Sequence, residues 1–266
     1  MMKKNKFGIL IPIRLSSKRL PKKALRKTNA GKPLEILIQN LSKIVNTRKD
    51  IVVCTTKNKI DDELVKYSKI LKFSIFRGDT NDIINRMYLA NLKYKFDFIA
   101  EVDGDDILTD PNLIFKCLNV LKKNKLDYVY TDGLPLGLNV KVFKSKALNL
   151  TNEAKISNVN FNGFMLMFKN NILLKKKVIK FNKFRKIRAR FTIDYIEDLI
   201  FFENIVKYLH NYKRDFLLDN YFYILKKHSE LKKINFFRNK SYMNNSKKMK
   251  PLLIMKNKKI TSIKIV

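Results

Sequence analysis

The sequence predicts a three-layer α/β domain built on a mostly parallel central sheet, and three observations predict it. Short apolar runs alternate with segments whose apolar residues recur at helical spacing, which is the signature of βαβ units. The chain has 266 residues, 45% of them hydrophobic, with only 7 Gly and 6 Pro. That composition suits a large buried core and excludes collagen-like, disulfide-framework and globally disordered chains. Two polar loops, one basic and one acidic, leave the carboxyl ends of strands, where open α/β folds hold their ligands.

The elements follow in order. Phe7–Ile13 reads as a buried strand, followed by a polar loop from Arg14 to Lys32. Pro33–Val45 has helical apolar spacing and opens on a proline, whose missing N–H costs nothing in a first turn. Ile51–Thr55 is a short β-branched run. Ile60–Leu71 is helical, with Asp61, Asp62 and Glu63 where carboxylates suit the helix dipole. Phe73–Phe76 is a strand, and Thr80–Tyr94 a helix entered through a Thr-Asn-Asp cap. Phe96–Val102 is a strand running into the loop DGDDILTDP, and Pro111–Lys123 is a helix. Tyr128–Tyr130 and Leu138–Phe143 are strands. Beyond them Gly163–Phe168 is expected to be a strand, and Lys169–Lys186 is basic with no element assigned. Arg188–Ile193 reads as a strand, and Asp194–Leu209 as a helix with a D-x-x-E start. The expected organisation is one domain over 1–212 and a basic C-terminal extension over 213–266, packing on it or trailing from it.

Lys and Arg number 57 against 23 Asp and Glu, a formal charge of +34. Such an excess is compatible with nucleic-acid or anionic-membrane binding. Here it is mostly Lys spread along the whole chain with abundant Asn and Ile, as an AT-rich coding sequence would produce without functional demand. The segment Lys226–Val266 stands apart, with 13 Lys or Arg and a single acid, Glu230. It reads either as a binding arm or, from its apolar interludes INFF, PLLIM and ITSIKIV, as elements packed on the main domain. Cys54 and Cys117 sit in apolar segments and read as small core residues in a reducing compartment. Lys3, Lys4 and Lys6 before FGILIPI imitate a signal peptide, but the run is short, contains Pro12 and meets Arg14 without a small-residue cleavage site. No run approaches the ~18 apolar residues that span a bilayer. A soluble cytoplasmic protein is expected.

Three constellations can carry chemistry. In IPIRLSSKRLPKKAL, the cations Arg14, Lys18, Arg19, Lys22 and Lys23 and the hydroxyls of Ser16 and Ser17 follow a buried strand. Such a loop suits a triphosphate, guanidiniums binding oxygens bidentately and lysines acting as point charges; it also reads as a solvated basic loop. It lacks G-x-x-x-x-G-K-[ST] and is no P-loop. In EVDGDDILTDP, Asp103, Asp105 and Asp106 crowd a strand terminus where Gly104 permits a tight turn. Clustered carboxylates suit Mg²⁺ or Mn²⁺, with phosphate supplying further ligands, Asp105 foremost; turn chemistry and an Asp110 N-cap are the alternative. In RFTIDYIEDL, Asp194 reads equally as a second metal carboxylate and as the start of a capping box with Glu197. His210 and His228 lie in basic helical segments and support neither a triad nor a zinc site.

Together these motifs resemble those of the sugar cytidylyltransferases. IPIRLSSKRLPKKAL resembles their I-P-A-R-x-x-S-x-R-L-P-x-K, EVDGDDILTDP their strand-ending Q-G-D or T-G-D, and RFTIDYIEDL their V-D-T-x-E-D-L. VVCTTKNKIDDELVKYSK, FSIFRGDTNDIINRMYLANLKY and LPLGLNVKVFKSKAL match the spore-coat polysaccharide cytidylyltransferase-like group in the same order. The 3-deoxy-manno-octulosonate and acylneuraminate cytidylyltransferases are more distant relatives. The resemblance covers roughly residues 7–209.

It implies a Rossmann-like nucleotidyltransferase fold with a mostly parallel sheet. The implied reaction is CMP transfer from CTP to an acidic or modified sugar, releasing pyrophosphate, with Mg²⁺ as cofactor and surface polysaccharide synthesis as the setting. Arg14, Arg19 and Lys23 match the triphosphate-binding cations, with Arg14, Lys23 and Asp105 the catalytic set. Ser17 matches a loop hydroxyl, and Arg77 and Asp103 fall near the nucleotide. Asp105 and Asp194 match the metal carboxylates. CTP and a small sugar are the implied partners, nucleic acid is not, and a homodimer is left open. Several positions depart from the pattern. Lys22 replaces a Gly before the key Lys, and Asp103 replaces the Gln or Thr facing the base or sugar. Asn139 and Lys141 replace the Asp and Glu of G-L-D-V-E-V-F, removing acid character and favouring an anionic sugar. An A-type glycosyltransferase, which also uses D-x-D, and a charge-driven nucleic-acid binder are the alternatives.

Overall fold

The computed structural model describes residues 5–154 and 164–241 in full, and the backbone of 251–256 and 259–265. The first half is a run of alternating elements. Strand β1 (Phe7–Pro12) is followed by α1 (Pro33–Leu41), β2 (Ile51–Thr56), α2 (Asp62–Leu71) and β3 (Ser74–Gly78). Next come α3 (Ile83–Tyr94), β4 (Phe98–Glu101), α4 (Pro111–Lys123), β5 (Tyr128–Asp132) and β6 (Lys141–Lys144). The second half holds α5 (Ser145–Glu153), α6 (Met165–Asn170), β7 (Lys176–Lys180), α7 (Ile196–Asn211), α8 (Leu218–Lys227) and α9 (Leu231–Asn235). A separate antiparallel pair, β8 (Pro251–Lys256) and β9 (Lys259–Ile265), closes the chain.

The main sheet has seven strands in the order β3-β2-β1-β4-β6-β5-β7. All pairings are parallel except those of β6, which runs antiparallel to β4 and β5. Alternation along the strands divides the core into two layers. Ile9, Ile11, Val53, Ala100 and Val142 face α1, α4, α7 and α8. Leu10, Val52, Cys54, Ile99 and Phe143 face α3, α5 and α6. The result is the three-layer, mostly parallel α/β architecture that the alternating pattern implies. Cys54 and Cys117 are free and buried, and no helix among the described residues is long and apolar enough to cross a membrane.

The sheet order reverses between β1 and β4, so the loops after these two neighbouring strands leave side by side, a topological switch point. The pairing continues past the strand ends: Val102 N donates to Leu10 O at 3.1 Å, and Gly104 N to Pro12 O at 3.2 Å. Gly104 lies so close to β1 that a Cβ there would sit 2.7 Å from Ile13. The acidic and basic loops are thereby stapled together at their roots.

Three expectations need correction. Residues 165–168 of the expected Gly163–Phe168 strand form helix instead, within α6, with Phe164 as its N-cap; Gly163 lies outside the described residues. Met, Leu and Phe carry no β-branch and enter a helix readily, and Met165, Met167 and Phe168 bury one helical face in the second core layer. Arg188–Ile193 is extended but joins no ladder; Phe191 N donates to Leu136 O at 2.7 Å and Ile193 N to Asp105 O at 2.9 Å. The unassigned basic stretch contains β7, whose lysines suit a sheet edge that must not pair with another chain. Asp110 is the α4 N-cap, accepting from Asn112 N at 2.8 Å. The helices after α7 are part of the same core, with Tyr221, Ile224, Leu225 and Leu231 buried against it.

Candidate active site

The basic loop is anchored from below. Asp61, fully buried, accepts from Leu15 N at 2.8 Å, from Thr55 Oγ1 at 2.9 Å and from Thr56 N at 3.2 Å. The chain then curls back, Lys22 N donating to Leu15 O at 3.0 Å. Lys22, where the resemblance places glycine, sits at φ 54° in the left-handed region, a conformation that favours glycine. That turn aims the next residue, Lys23, inward.

Lys23 is the centre of the site. Its ammonium is 2.5 Å from Asp105 Oδ2 and 3.0 Å from Asp194 Oδ1, with 13% of the side chain exposed. Arg19 Nη2 is 2.5 Å from the same Asp194 oxygen. Burial works against the charged ammonium, but Asp105 and Asp194 outweigh it and push Lys23 up to about 12. Burial raises the Asp194 carboxyl, and Lys23 and Arg19 more than reverse this, so it lies below its ordinary value. Asp105 is held above its ordinary value by burial and by the neighbouring carboxylates of Asp194 and Asp103, against the pull of Lys23. Residues 23, 105 and 194 thus meet at one point, with Asp105 tied to the Asp194 segment by the bond from Ile193 N.

Asp194 is not the carboxylate that closes the first turn of α7. Asp198 does so, its Oδ2 accepting from Asp194 N at 2.9 Å and Tyr195 N at 3.1 Å. Asp194 keeps both oxygens for cations, the second lying 3.2 Å from Arg190 Nη2.

The other residues singled out in the sequence fall around this centre. Arg14 is exposed at the root of the basic loop, close enough to the buried Arg86 to help depress its guanidinium, where burial is the larger cause. Ser17 shapes the loop, its Oγ accepting from Leu20 N at 3.4 Å. Arg77 is not drawn to Asp105 or Asp194: it donates to Thr56 O and Asn58 O, both at 2.9 Å, and pairs with Asp62 at 2.6 Å. Asp103 pairs with a different cation, 2.6 Å from Lys141 Nζ. Lys141 also lies 2.8 Å from Glu101 Oε2. Its charge is therefore matched within the protein. Glu101 is fully buried; burial and Asp103 raise its carboxyl to about 8 despite Lys141. Beside Asp103 and Lys141 opens a cavity of about 180 Å³, also lined by Tyr130, Thr131, Asn139 and Lys169.

The motif reading missed Glu101, Arg190, Asp198 and Asn235. Glu101 carried a signal, a carboxylate closing an otherwise apolar strand (FIAE). For the others the signal was only the four-residue spacing of Arg190, Asp194 and Asp198, and Asn235 lay in a segment read as an extension.

The donor set suits a magnesium ion. Two carboxylates converge on one cationic position, and Mg²⁺ is held by one or two carboxylates with substrate phosphates and water completing the shell. Among the described residues no group of three or more Asp, Glu, His or Cys is placed to hold a metal, so phosphate oxygens would have to contribute.

A family model described as "Cytidylyltransferase" matches residues 8–248. The chain belongs to the cytidylyltransferase family. An uncharacterized protein of Methanocaldococcus jannaschii is 40% identical over 139 residues, 52% of this chain and 57% of that protein. The spore coat polysaccharide biosynthesis protein SpsF of Bacillus subtilis is 27% identical over 147 residues, 54% of this chain and 61% of SpsF. These matches span about three fifths of each relative's length. A cytidylyltransferase structure from Leptospira borgpetersenii shares the fold at a TM-score of 0.76 with 23% identity, covering 86% of this chain and 97% of that one.

Proposed function

We propose that this cytidylyltransferase-family chain transfers CMP from CTP to the hydroxyl of an acidic or modified sugar, releasing pyrophosphate, for surface polysaccharide synthesis. The observation that carries this reading is the Lys23 ammonium held between Asp105 and Asp194 at the switch point of the sheet. SpsF, by its name a spore coat polysaccharide biosynthesis protein, supports the setting. We assign the chemistry to residues 1–212, with α8 and α9 of the following segment packed against them. The free thiols of Cys54 and Cys117 suit a reducing cytoplasm.

The reaction asks the protein for positioning and charge neutralisation. Arg14, Arg19 and Lys23 bind the β- and γ-phosphates, with Ser17 shaping the loop that presents them. Asp105 and Asp194 would hold Mg²⁺, which would supply charge neutralisation on the phosphates. The sugar occupies the cavity beside Asp103, and its hydroxyl oxygen attacks the α-phosphorus in line as the bond to the pyrophosphate oxygen breaks. Asp103, on the cavity wall, takes the hydroxyl proton.

The cavity also bears on which sugar enters. Lys141 is paired with Asp103 at 2.6 Å and bonded to Glu101 at 2.8 Å, so its ammonium is not offered to a ligand. Lys169 is: it lines the cavity and lies 4.7 Å over the Tyr130 ring, and burial lowers its pKa against the pull of Asp132. A sugar carboxylate is the complement. The test is a pyrophosphate-release screen pairing four nucleoside triphosphates with acidic, amino and neutral sugars in the presence of Mg²⁺. CTP with an acidic sugar is the expected pair; release from no combination would refute the reading.

A further inference from the structure

The C-terminal helix reaches the reaction centre through a buried polar chain. Asn235, the last residue of α9, is fully buried. Its Nδ2 donates to Arg190 O at 2.8 Å and to Asp198 Oδ1 at 3.0 Å, and its Oδ1 accepts from Arg190 N at 3.3 Å. Arg190, also fully buried, donates from Nε to Asp198 Oδ1 at 3.0 Å and from Nη2 to Asp198 Oδ2 at 3.3 Å and Asp194 Oδ2 at 3.2 Å. Asp194 then meets Lys23 and Arg19 with its other oxygen. Three residues further on, the chain after α9 is pinned to the same place. Arg238 grips Glu197 through Nη2 at 2.7 Å and Nε at 3.1 Å, with its guanidinium 4.8 Å over the Tyr195 ring.

We propose that Asn235 is a positioning residue for the reaction centre: it locks the backbone at Arg190 and the carboxylate of Asp198, and the Arg190 guanidinium they hold sets the direction of Asp194. The inference rests on the reading above in which Asp194 serves the phosphates and their metal. Its physical ground is that every hydrogen-bonding atom of the Asn235 amide side chain is directed into this chain and none to solvent. An asparagine needed only to end a helix would sit at the surface and bond its own turn. Outer partners of a metal-holding carboxylate fix its orientation, and their loss typically weakens metal binding or activity by roughly 10–100-fold.

The test compares wild type, Asn235→Ala and Leu231→Ala, the last a buried apolar residue of the same helix outside the polar chain. Two readouts are used: the affinity for Mn²⁺ in the presence of CTP, from the electron paramagnetic resonance of free Mn²⁺, and the hydrogen exchange of the Arg190 Nε–H by NMR. In Asn235→Ala the Mn²⁺ affinity falls by roughly 10–100-fold while the KM for CTP changes by less than about threefold, and the Arg190 Nε–H exchanges faster. Leu231→Ala lowers thermal stability and leaves both readouts near wild type. If Asn235→Ala is too unstable to purify, Asn235→Asp takes its place, since it keeps the shape and turns the donor facing Asp198 into an acceptor. Unchanged Mn²⁺ affinity in the asparagine variant overturns the proposal, and so does an equal loss in Leu231→Ala. Wild type that binds no Mn²⁺ with CTP refutes the functional reading, and the inference falls with it.

Discussion

Replacing Lys23 with alanine removes a cation that two carboxylates share, and the structure sets the size of the effect. Taking one partner from a buried ion pair costs about 3–5 kcal/mol, because the charge left behind is neither solvated nor paired. Two features reduce that here. Asp105 has 26% of its side chain exposed, and Asp194 keeps Arg19 and Arg190. A loss of about 2–3 kcal/mol is therefore expected, and for a domain of this size that corresponds to a drop of roughly 4–12 °C in Tm. The same substitution leaves two carboxylates facing one empty position, so Mg²⁺ stabilises the variant more than the wild type, in proportion to the logarithm of its concentration. Pyrophosphate release falls by about two to three orders of magnitude, the scale on which a donor aimed at developing phosphate charge is worth. Thermal unfolding with and without MgCl₂, beside a release assay with CTP, measures all three. A Lys23→Ala protein that melts with the wild type, ignores Mg²⁺ and turns over normally would refute the assignment of this contact as the reaction centre.

Other outcomes follow from the same contacts. Asp105→Ala lowers turnover by about two orders of magnitude or more while the circular dichroism spectrum and unfolding cooperativity stay native; near-normal turnover would remove Asp105 from the site. Lys22→Gly relieves the positive φ of 54° and raises stability by about 0.5–1 kcal/mol in urea unfolding, the small gain reflecting the entropy glycine brings to the unfolded chain; a loss of stability would contradict the strain assigned to this turn. Glu101, facing Asp103 and Lys141, has its carboxyl raised from an ordinary 4.5 to about 8. The folded chain therefore keeps a proton that the unfolded chain has lost across that window, and stability declines as pH climbs from about 4.5 toward about 8. Glu101→Gln flattens this decline in denaturant titrations run at several pH values, and an unaltered slope would show that the carboxyl titrates normally.

The architecture was legible because strands and helices in the first 130 residues differ in period, and because the caps are local: Asp110 announces α4 within three residues. Reading failed where burial and period came apart. The FMLMF run is apolar throughout, so alternation could not separate a buried strand from helix α6. The β7 strand is masked by lysines whose aliphatic stems cover the sheet edge. Of the candidate site, the meeting of Lys23, Asp105 and Asp194 was legible only through the family resemblance, since the residues alone left Asp194 equally a metal carboxylate and a helix cap. The partners of these residues were not. Arg77 is placed by its sequence beside a glycine and an acid, and only the course of the β2–α2 loop shows its guanidinium bonded there. Asn235 is forty-one residues beyond Asp194 in sequence, and nothing local distinguishes an amide that ends a helix from one that reaches into a neighbour.

The contact between Asp103 and Lys141 has an evolutionary corollary. Two positions that depart from the related motifs, one on the acidic loop and one on an antiparallel strand, touch through their charged ends. An aspartate without that ammonium loses its ion-pair partner at the cavity wall, and an ammonium without that aspartate falls back on Glu101, 2.8 Å away. An attempt to convert this cavity to the selectivity of a relative is therefore best made by exchanging both residues together, because each single exchange alters the pairing of the other charge.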